Sequence, residues 1–263
     1  MSAVATPNRR SGALLLAPLR GALAVTLWAT LPLYRSRWTL LPPLTGAAVM
    51  AMLIGAVLAA PREVIEGDVQ RLMYIHVPSA AAGTYLSFLL VAVASIVFLL
   101  TRDLRWDAVA RAAATVGVLF TVFTLATGAI WGKATWGVYW TWDARLTSTF
   151  VLLLVYSAYL LARSVGGPND EQTARFAAVF GIIGFLDIPL IHFSVDWWRT
   201  LHPQRIVFDP RPALPGEMLL VLLVAFVAIT LLTLWLIALR TDTEQLVQRA
   251  DRMRARLDQG ERA

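Results

Sequence analysis

The 263-residue sequence contains no cysteine, and only 15% of its residues are charged. The lack of cysteine excludes disulfide bonds, thiolate metal sites and a Cys-x-x-Cys-His haem attachment site on this chain. Histidine is also scarce, since His76, His192 and His202 are the full set. The sequence has no phosphate-binding glycine loop, no nucleophile–base pair and no metal-hydrolase spacing, which argues against bond cleavage by this chain on its own.

Apolar residues are abundant instead. They make up 58% of the chain, and the mean hydropathy is +0.64. Six stretches approach or reach the roughly 20 apolar residues that cross the hydrocarbon core of a bilayer. They lie at about 40–60, 80–100, 108–130, 146–162, 176–195 and 218–239. The sequence therefore predicts an all-α integral membrane protein with six transmembrane helices.

The distribution of Lys and Arg predicts the orientation. With six spans both termini share one side, and that side receives 16 of the 23 cationic residues. Because cytoplasmic loops are enriched in Lys and Arg, we expect both termini to be cytoplasmic. The net charge of +6 then reflects topology and contact with anionic lipid, and not nucleic-acid binding.

The predicted domain organisation follows from these spans. Residues 1–39 form a cytoplasmic or interfacial extension, because the apolar run at 21–33 is too short to span; a seventh span is the alternative. Residues 40–240 form the six-helix domain, and residues 241–263 form a charged cytoplasmic tail. In the tail Leu246, Ala250, Met253 and Leu257 recur at helical spacing, which indicates a solvated or membrane-surface helix, with a partner contact as the alternative.

The loop between the third and fourth spans, within residues 131–147, is rich in tryptophan. Trp131, Trp136, Trp140 and Trp142 fall within twelve residues. Indole rings suit both the membrane–water boundary and a flat apolar ligand, and four of them exceed what anchoring one loop needs. If residues 132–140 form a short helix on the membrane, Trp136 and Trp140 share one face and cover a planar ligand.

Two histidines fall at similar predicted depth near the outer boundary. His76 precedes the second span, and His192 lies near the outer end of the fifth. Two imidazoles from different helices can bind a haem iron axially or hold another metal. The plainer alternative is a pair of interfacial, hydrogen-bonded side chains. Zinc needs further ligands, of which His202 is one candidate.

Charged residues accompany these aromatic and imidazole groups. Lys133 and Arg145 can neutralise the propionates of a haem, although ordinary loop solubility also explains them. Asp143 is expected to orient a cation or a turn. Asp187 lies inside the fifth span, where a carboxylate needs a partner or a cavity, and Pro189 should kink that helix.

These residues resemble a known family. The run Trp-Gly-Lys-x-x-Trp-Gly-x-x-Trp-x-Trp-Asp-x-Arg at 131–145 is similar to the tryptophan-rich WWD signature of membrane haem-handling proteins. The Tyr-Ile-His-Val-Pro context of His76 and the run at 191–202 resemble the cytochrome c maturation protein C (CcmC) family. The resemblance covers roughly residues 40–240.

The resemblance implies a haem-handling component, and not an enzyme, in the bacterial inner membrane. Such a protein holds haem b transiently and non-covalently at the periplasmic face and presents it to the haem chaperone CcmE. It works beside the ABC-type complex subunits CcmA, CcmB and CcmD. The family's axial ligands carry over to His76 and His192. Its aromatic platform carries over to Trp131, Trp136, Trp140, Trp142 and Asp143.

Three other functions share parts of this pattern. A WWD-type cytochrome c haem lyase or synthase subunit shares the signature, but usually has further membrane histidines. A b-type electron carrier needs a deeply buried bis-histidine haem. A protein that itself moves haem across the bilayer needs a polar path, for which Asp187 is the one indication. The long basic extension and Asp187 depart from the family pattern.

Overall fold

The structure, a computed structural model, describes residues 35–202 and 214–260. The chain divides into two compact units, residues 1–42 and 43–263. In the described part of the first unit, a 3-10 turn at Ser36–Trp38 precedes the first long helix. The predicted N-terminal extension therefore falls, up to residue 34, outside the described residues.

Helices account for nearly all of the described residues. They are α1 (Leu41–Ile54), α2 (Met73–Pro78), α3 (Leu86–Thr101), α4 (Leu104–Trp136), α5 (Ala144–Val165), α6 (Glu171–Phe185), α7 (Asp187–Trp197) and α8 (Gly216–Gly260). A π-helical turn at Gly55–Ala59 extends α1, and another at Ser79–Tyr85 joins α2 to α3. A 3-10 turn at Asp68–Leu72 leads into α2.

Within the described residues, six helical stretches are long and apolar enough to cross a membrane. They are Leu41–Ala59, Asp68–Thr101, Leu104–Trp136, Ala144–Val165, Glu171–Trp197 and Gly216–Gly260. Each coincides with one of the six apolar stretches of the sequence. The prediction of an all-helical protein with six membrane-spanning helices is confirmed.

The fifth span is interrupted, as its proline predicts. Helix α6 ends at Phe185, and α7 begins at Asp187. Pro189 has no N–H, so the carbonyl of Phe185 four residues earlier receives no helical hydrogen bond from it. The break at Leu186 therefore lies in the turn where the sequence predicts a kink.

Helix α4 lies at the centre of the bundle and packs against α3, α5 and α8. Its buried stretch Ala112–Ala114 and the buried Ala225 and Ala228 of α8 have no large side chains. Small residues let membrane helices approach closely, which favours dispersion contacts between them. Beside them, the rings of Phe88 and Tyr156 stack 3.7 Å apart between α3 and α5.

Buried ion pairs join three helices near the start of α4. Arg163 of α5 donates to both carboxylate oxygens of Asp107 at 3.0 and 2.8 Å. Arg111 of α4 pairs with Glu244 of α8, and Arg240 also contacts Glu244 at 2.6 Å. A buried charge is tolerated only when it is paired, so these contacts hold α4, α5 and α8 in register at this end.

Candidate functional site

A cleft of about 90 Å³ lies near the other end of α4. Its walls come from α2, the π-helical turn after it, α4, α5, α7 and the segment 138–141. Of the predicted site residues, His76, Trp136, Trp140 and Arg145 line this cleft, and His202 lines it as well. Imidazole, indole and guanidinium groups from distant parts of the sequence thus converge on one cavity.

The aromatic loop reaches the cleft by reversing direction after α4. Helix α4 ends at Trp136, and Gly137 adopts a left-handed conformation with φ 78°. Lys133 donates from Nζ to the Gly137 carbonyl at 2.8 Å, which helps to close the end of the helix. Residues 132–140 are therefore not one helix, and the expectation that Trp136 and Trp140 share a helical face is wrong. Both rings reach the cleft because the chain turns back at Gly137.

His76 is held through one ring nitrogen. Its Nδ1 lies 3.1 Å from Thr127 Oγ1, and that hydroxyl donates its hydrogen to the Phe123 carbonyl at 2.8 Å. When the Thr127 hydroxyl gives its single hydrogen to that carbonyl, it accepts from Nδ1–H of His76. In this arrangement the ring proton is on Nδ1, and the Nε2 lone pair is available to a metal. Gly128 leaves room for the ring, since a Cβ there would lie 2.7 Å from His76 Cε1.

His202 is held in the same way by a different group. Its Nδ1 lies 3.4 Å from Thr200 Oγ1 and 3.5 Å from Asp143 Oδ2, and Thr200 Oγ1 donates to the same Asp143 oxygen at 2.9 Å. A carboxylate only accepts, so Nδ1 of His202 is the protonated nitrogen and Nε2 is left as a ligand. The ring packs edge-on against Trp136 with centroids 5.0 Å apart.

Asp143 connects this histidine to the fold. Its Oδ1 accepts from the Leu146 backbone N–H at 2.9 Å and so caps the N-terminus of α5. Burial by itself raises the pKa of Asp143, but the hydrogen bonds from His202, Leu146 and Thr200 outweigh it and hold the pKa below its ordinary value. The carboxylate is therefore ionised at neutral pH. Asp143 therefore orders the backbone at the start of α5.

His192 occupies a different position from His76 and His202. It lies on α7 next to the cleft-lining Ile191, but it is not itself among the residues that line the cleft. Its ring meets Phe193 edge-on at 5.0 Å. Arg145 donates to the backbone carbonyls of Ile191 and His192 at 3.3 and 3.1 Å, so this cation fastens α5 to α7 at the cleft wall.

The other predicted residues surround the cleft without lining it. Trp131 packs edge-on behind His76 with centroids 5.7 Å apart and donates from Nε1 to Glu66 at 3.0 Å. Trp142 is 75% exposed and meets Trp140 edge-on. Lys133 lies over the Tyr139 ring at 5.4 Å. These side chains support the walls of the cleft or face outward.

Two buried polar atoms on the cleft wall have no hydrogen-bond partner among the described residues. They are Trp140 Nε1 and Thr124 Oγ1. Leaving a buried donor unsatisfied costs roughly 1–3 kcal/mol, so such atoms mark a place where a ligand can bind. Within residues 35–202 and 214–260 no cluster of three or more His, Asp or Glu side chains could hold a metal ion. The donor set fits a metal that brings its own equatorial ligands, as a haem does.

The chain is similar to proteins that are named for haem export or cytochrome c biosynthesis. The profile of the family described as heme exporter protein C (CcmC) matches residues 26–256. A heme exporter protein C of Bradyrhizobium diazoefficiens is 40% identical over 208 residues, which cover 77% of this chain and 78% of that protein. The heme exporter protein C of Escherichia coli K12 is 36% identical over 175 residues, covering 65% and 70%. A putative cytochrome c biosynthesis ccmC-like mitochondrial protein of Marchantia polymorpha is 38% identical over 174 residues, covering 66% and 73%.

Proposed function

This chain belongs to the heme exporter protein C family, and on that premise we propose that it binds haem at the cleft and passes it to the haem chaperone CcmE. Its general role is haem handling in cytochrome c biogenesis, as a multi-pass membrane protein. The observation that carries the proposal is the convergence of His76 and His202 on one cavity. Both rings are held through Nδ1, which leaves both Nε2 atoms for iron.

Haem is the cargo in this proposal, and each part of it has a matching group. The two imidazoles ligate the iron axially. The indole rings of Trp136 and Trp140 cover apolar parts of the macrocycle, where burial contributes about 25 cal/mol per Å². Arg145 neutralises a propionate through charge-assisted hydrogen bonds. The unsatisfied Trp140 Nε1 gains an acceptor from the same ligand.

The second axial position has two candidates. The pattern of the sequence assigns it to His192, and that assignment stays a prediction. The shared cleft and the Asp143 hydrogen bond favour His202 instead. A ligating histidine typically donates its other ring nitrogen to a carboxylate or carbonyl, and His202 meets this condition through Asp143.

Binding requires the cleft to widen. Its volume of about 90 Å³ is well below the roughly 300–1,000 Å³ of pockets that enclose small-molecule ligands. Segment 138–141, which forms part of the wall and is not helical, is the part we expect to move. A site that opens and holds its ligand loosely suits a protein that must release haem to CcmE.

The orientation in the membrane, the type of haem and the partners are part of the same proposal. The excess of Lys and Arg on the side of the termini supports a periplasmic cleft and cytoplasmic termini in the bacterial inner membrane. Haem b, bound non-covalently, is the expected form, since the chain has no cysteine to attach it. CcmA, CcmB and CcmD are the expected neighbours in the complex, together with membrane lipid.

Visible absorption of the detergent-purified protein tests the proposal. We expect a low-spin haem spectrum that is lost in His76→Ala and in His202→Ala and is retained in His192→Ala, the variant that separates the two candidate axial pairs. Haem transfer to purified CcmE should fall in the same two variants. Loss of haem in His192→Ala with retention in His202→Ala would assign the axial pair to His76 and His192. If the folded protein takes up no haem when haem is added, haem binding at the cleft is refuted.

A further inference from the structure

The C-terminal part of α8 extends well beyond the bilayer. Residues 241–260, here named the stalk, continue the sixth span as one helix without a break. At 1.5 Å per residue Met253 lies about 20 Å past Arg240, and a 40° tilt still leaves about 15 Å. The headgroup layer beyond the hydrocarbon is only about 5–8 Å thick on each side. The outer half of the stalk is therefore too far from the membrane for lipid to cover it.

One face of the stalk is fastened to the rest of the protein. Gln248 donates to the carbonyls of Leu104 and Pro168 at 3.0 and 3.4 Å. Asn169 donates to the Gln248 carbonyl at 2.9 Å and to Asp251 at 2.8 Å, and Arg252 donates to Asn169 Oδ1 at 3.0 Å. These contacts fix the rotation of the helix about its axis.

The opposite face carries an apolar stripe. Leu246, Ala250, Met253 and Leu257 recur at intervals of four, three and four residues, which is the a/d pattern of a coiled-coil seam. Met253 and Leu257 are 64% and 67% exposed, and Leu246 is 61% exposed. With 3.6 residues per turn, the centre of this stripe lies on the far side of the helix from the fastened residues. The fold therefore presents an unfilled coiled-coil seam to solvent.

The residues that flank the stripe are cationic. In the heptad defined by the stripe, Arg249 and Arg256 take g positions and Arg254 takes an e position, and all three are exposed. Residues at e and g select the partner of a coiled coil through charge. Arginine at these positions therefore favours a partner helix with Asp or Glu along its flanks.

We propose that the stalk stripe docks an amphipathic helix of a partner protein, with apolar a/d residues and acidic flanks. A second copy of this chain is a poor occupant, because either helix direction would bring arginine against arginine. Residues 1–34 contain no Asp or Glu, so they do not supply the acidic flanks either. The proposal is independent of haem binding, since the stalk and the cleft lie at opposite ends of the protein.

Two synthetic peptides test this directly with the full-length protein in nanodiscs of zwitterionic lipid. Each has three heptads with Ile at a and Leu at d, and the e and g positions are all Glu in one peptide and all Lys in the other. Fluorescence anisotropy of the labelled peptides measures binding. We expect saturable binding of the acidic peptide, at least tenfold tighter than that of the basic peptide.

Variants locate the binding to the stripe. Met253→Glu combined with Leu257→Glu should lower the affinity for the acidic peptide at least tenfold. The matched control, Gln245→Glu with Gln259→Glu, adds the same charge away from the stripe and should leave binding within twofold. Circular dichroism checks that the stalk stays helical. If the glutamates unfold it, reversal of the three flanking arginines to Glu should instead shift the preference to the basic peptide.

Three results would overturn the proposal. One is equal binding of the two peptides or no binding of either. Another is equal affinity of the acidic peptide for the parent protein and for the stripe variant. The third comes from the variant Met253→Cys, which introduces the sole thiol in the chain. Disulfide formation between two copies would assign the stripe to self-association. Quenching of a label on this thiol by a lipid-soluble quencher only would assign the stripe to lipid.

Discussion

Replacement of Asp143 by asparagine tests whether its carboxylate orients and polarises His202. Asparagine has nearly the same shape and is an equally good helix N-cap, so the bond to the Leu146 N–H is expected to persist. The change removes the negative charge that faces Nδ1 of His202 and the hydroxyl of Thr200. Any effect on haem therefore reports on the histidine and not on the stability of α5.

The expected magnitude follows from the type of hydrogen bond that is lost. Bonds to charged groups contribute about 1.5–3 kcal/mol, against about 1 kcal/mol for neutral ones. The difference of about 0.5–2 kcal/mol corresponds to a loss of roughly 2–30-fold in haem affinity, which overlaps the 10–100-fold typical of partners of ligating histidines. A less basic imidazole also stabilises ferric iron less, so the midpoint potential should move to a more positive value.

Haem titration and spectroelectrochemistry of the purified protein provide the assay. Asp103→Asn is the matched control, because Asp103 caps α4 through the Arg105 N–H in the same manner but lies at the other end of that helix. Equal haem affinity and equal midpoint potential in Asp143→Asn, in Asp103→Asn and in the parent protein would refute the reasoning. An effect on thermal stability alone would assign Asp143 a purely structural role.

Two further predictions concern the support of the cleft and the opposite end of the bundle. Gly128→Ala should lower haem retention by displacing the His76 ring, whereas Gly46→Ala, which meets no atom within 4 Å, should not; equal retention in both variants would contradict the close fit. Asp107→Asn leaves Arg163 charged and buried, which should cost roughly 3–5 kcal/mol and lower the unfolding temperature in detergent. Unchanged unfolding would show that this ion pair contributes no stability.

Local patterns predicted much of this architecture. Six apolar stretches predicted the six spans, because the thickness of the hydrocarbon core sets the length of a spanning helix. The position of Pro189 predicted the break between α6 and α7, since the missing N–H acts on the adjacent turn only. The local role of Asp143 could also be predicted from nearby residues, because an N-cap acts within three residues.

Other features of the site depend on contacts between distant residues. The sequence pattern paired His76 with His192 on predicted depth, and that pair remains untested, whereas the fold brings His202 into the cleft. The one local signal for His202 was a threonine two residues earlier. The hydroxyl of Thr200 lies 3.4 Å from Nδ1 of His202 and helps to orient its ring. Trp131 was predicted to line the site, because it belongs to the aromatic signature. Its hydrogen bond to Glu66 instead holds it behind the cleft wall.

The sequence by itself determined that this is a helical membrane protein with few imidazoles and a tryptophan-rich loop. Those properties follow from hydrophobic length, composition and local backbone chemistry. The tertiary structure alone decided which of the three histidines share a cavity and which face of the stalk is left open. Both outcomes depend on how helices far apart in the chain are rotated against each other, and that rotation is set by buried contacts such as Arg145 with α7 and Gln248 with the loop before α6.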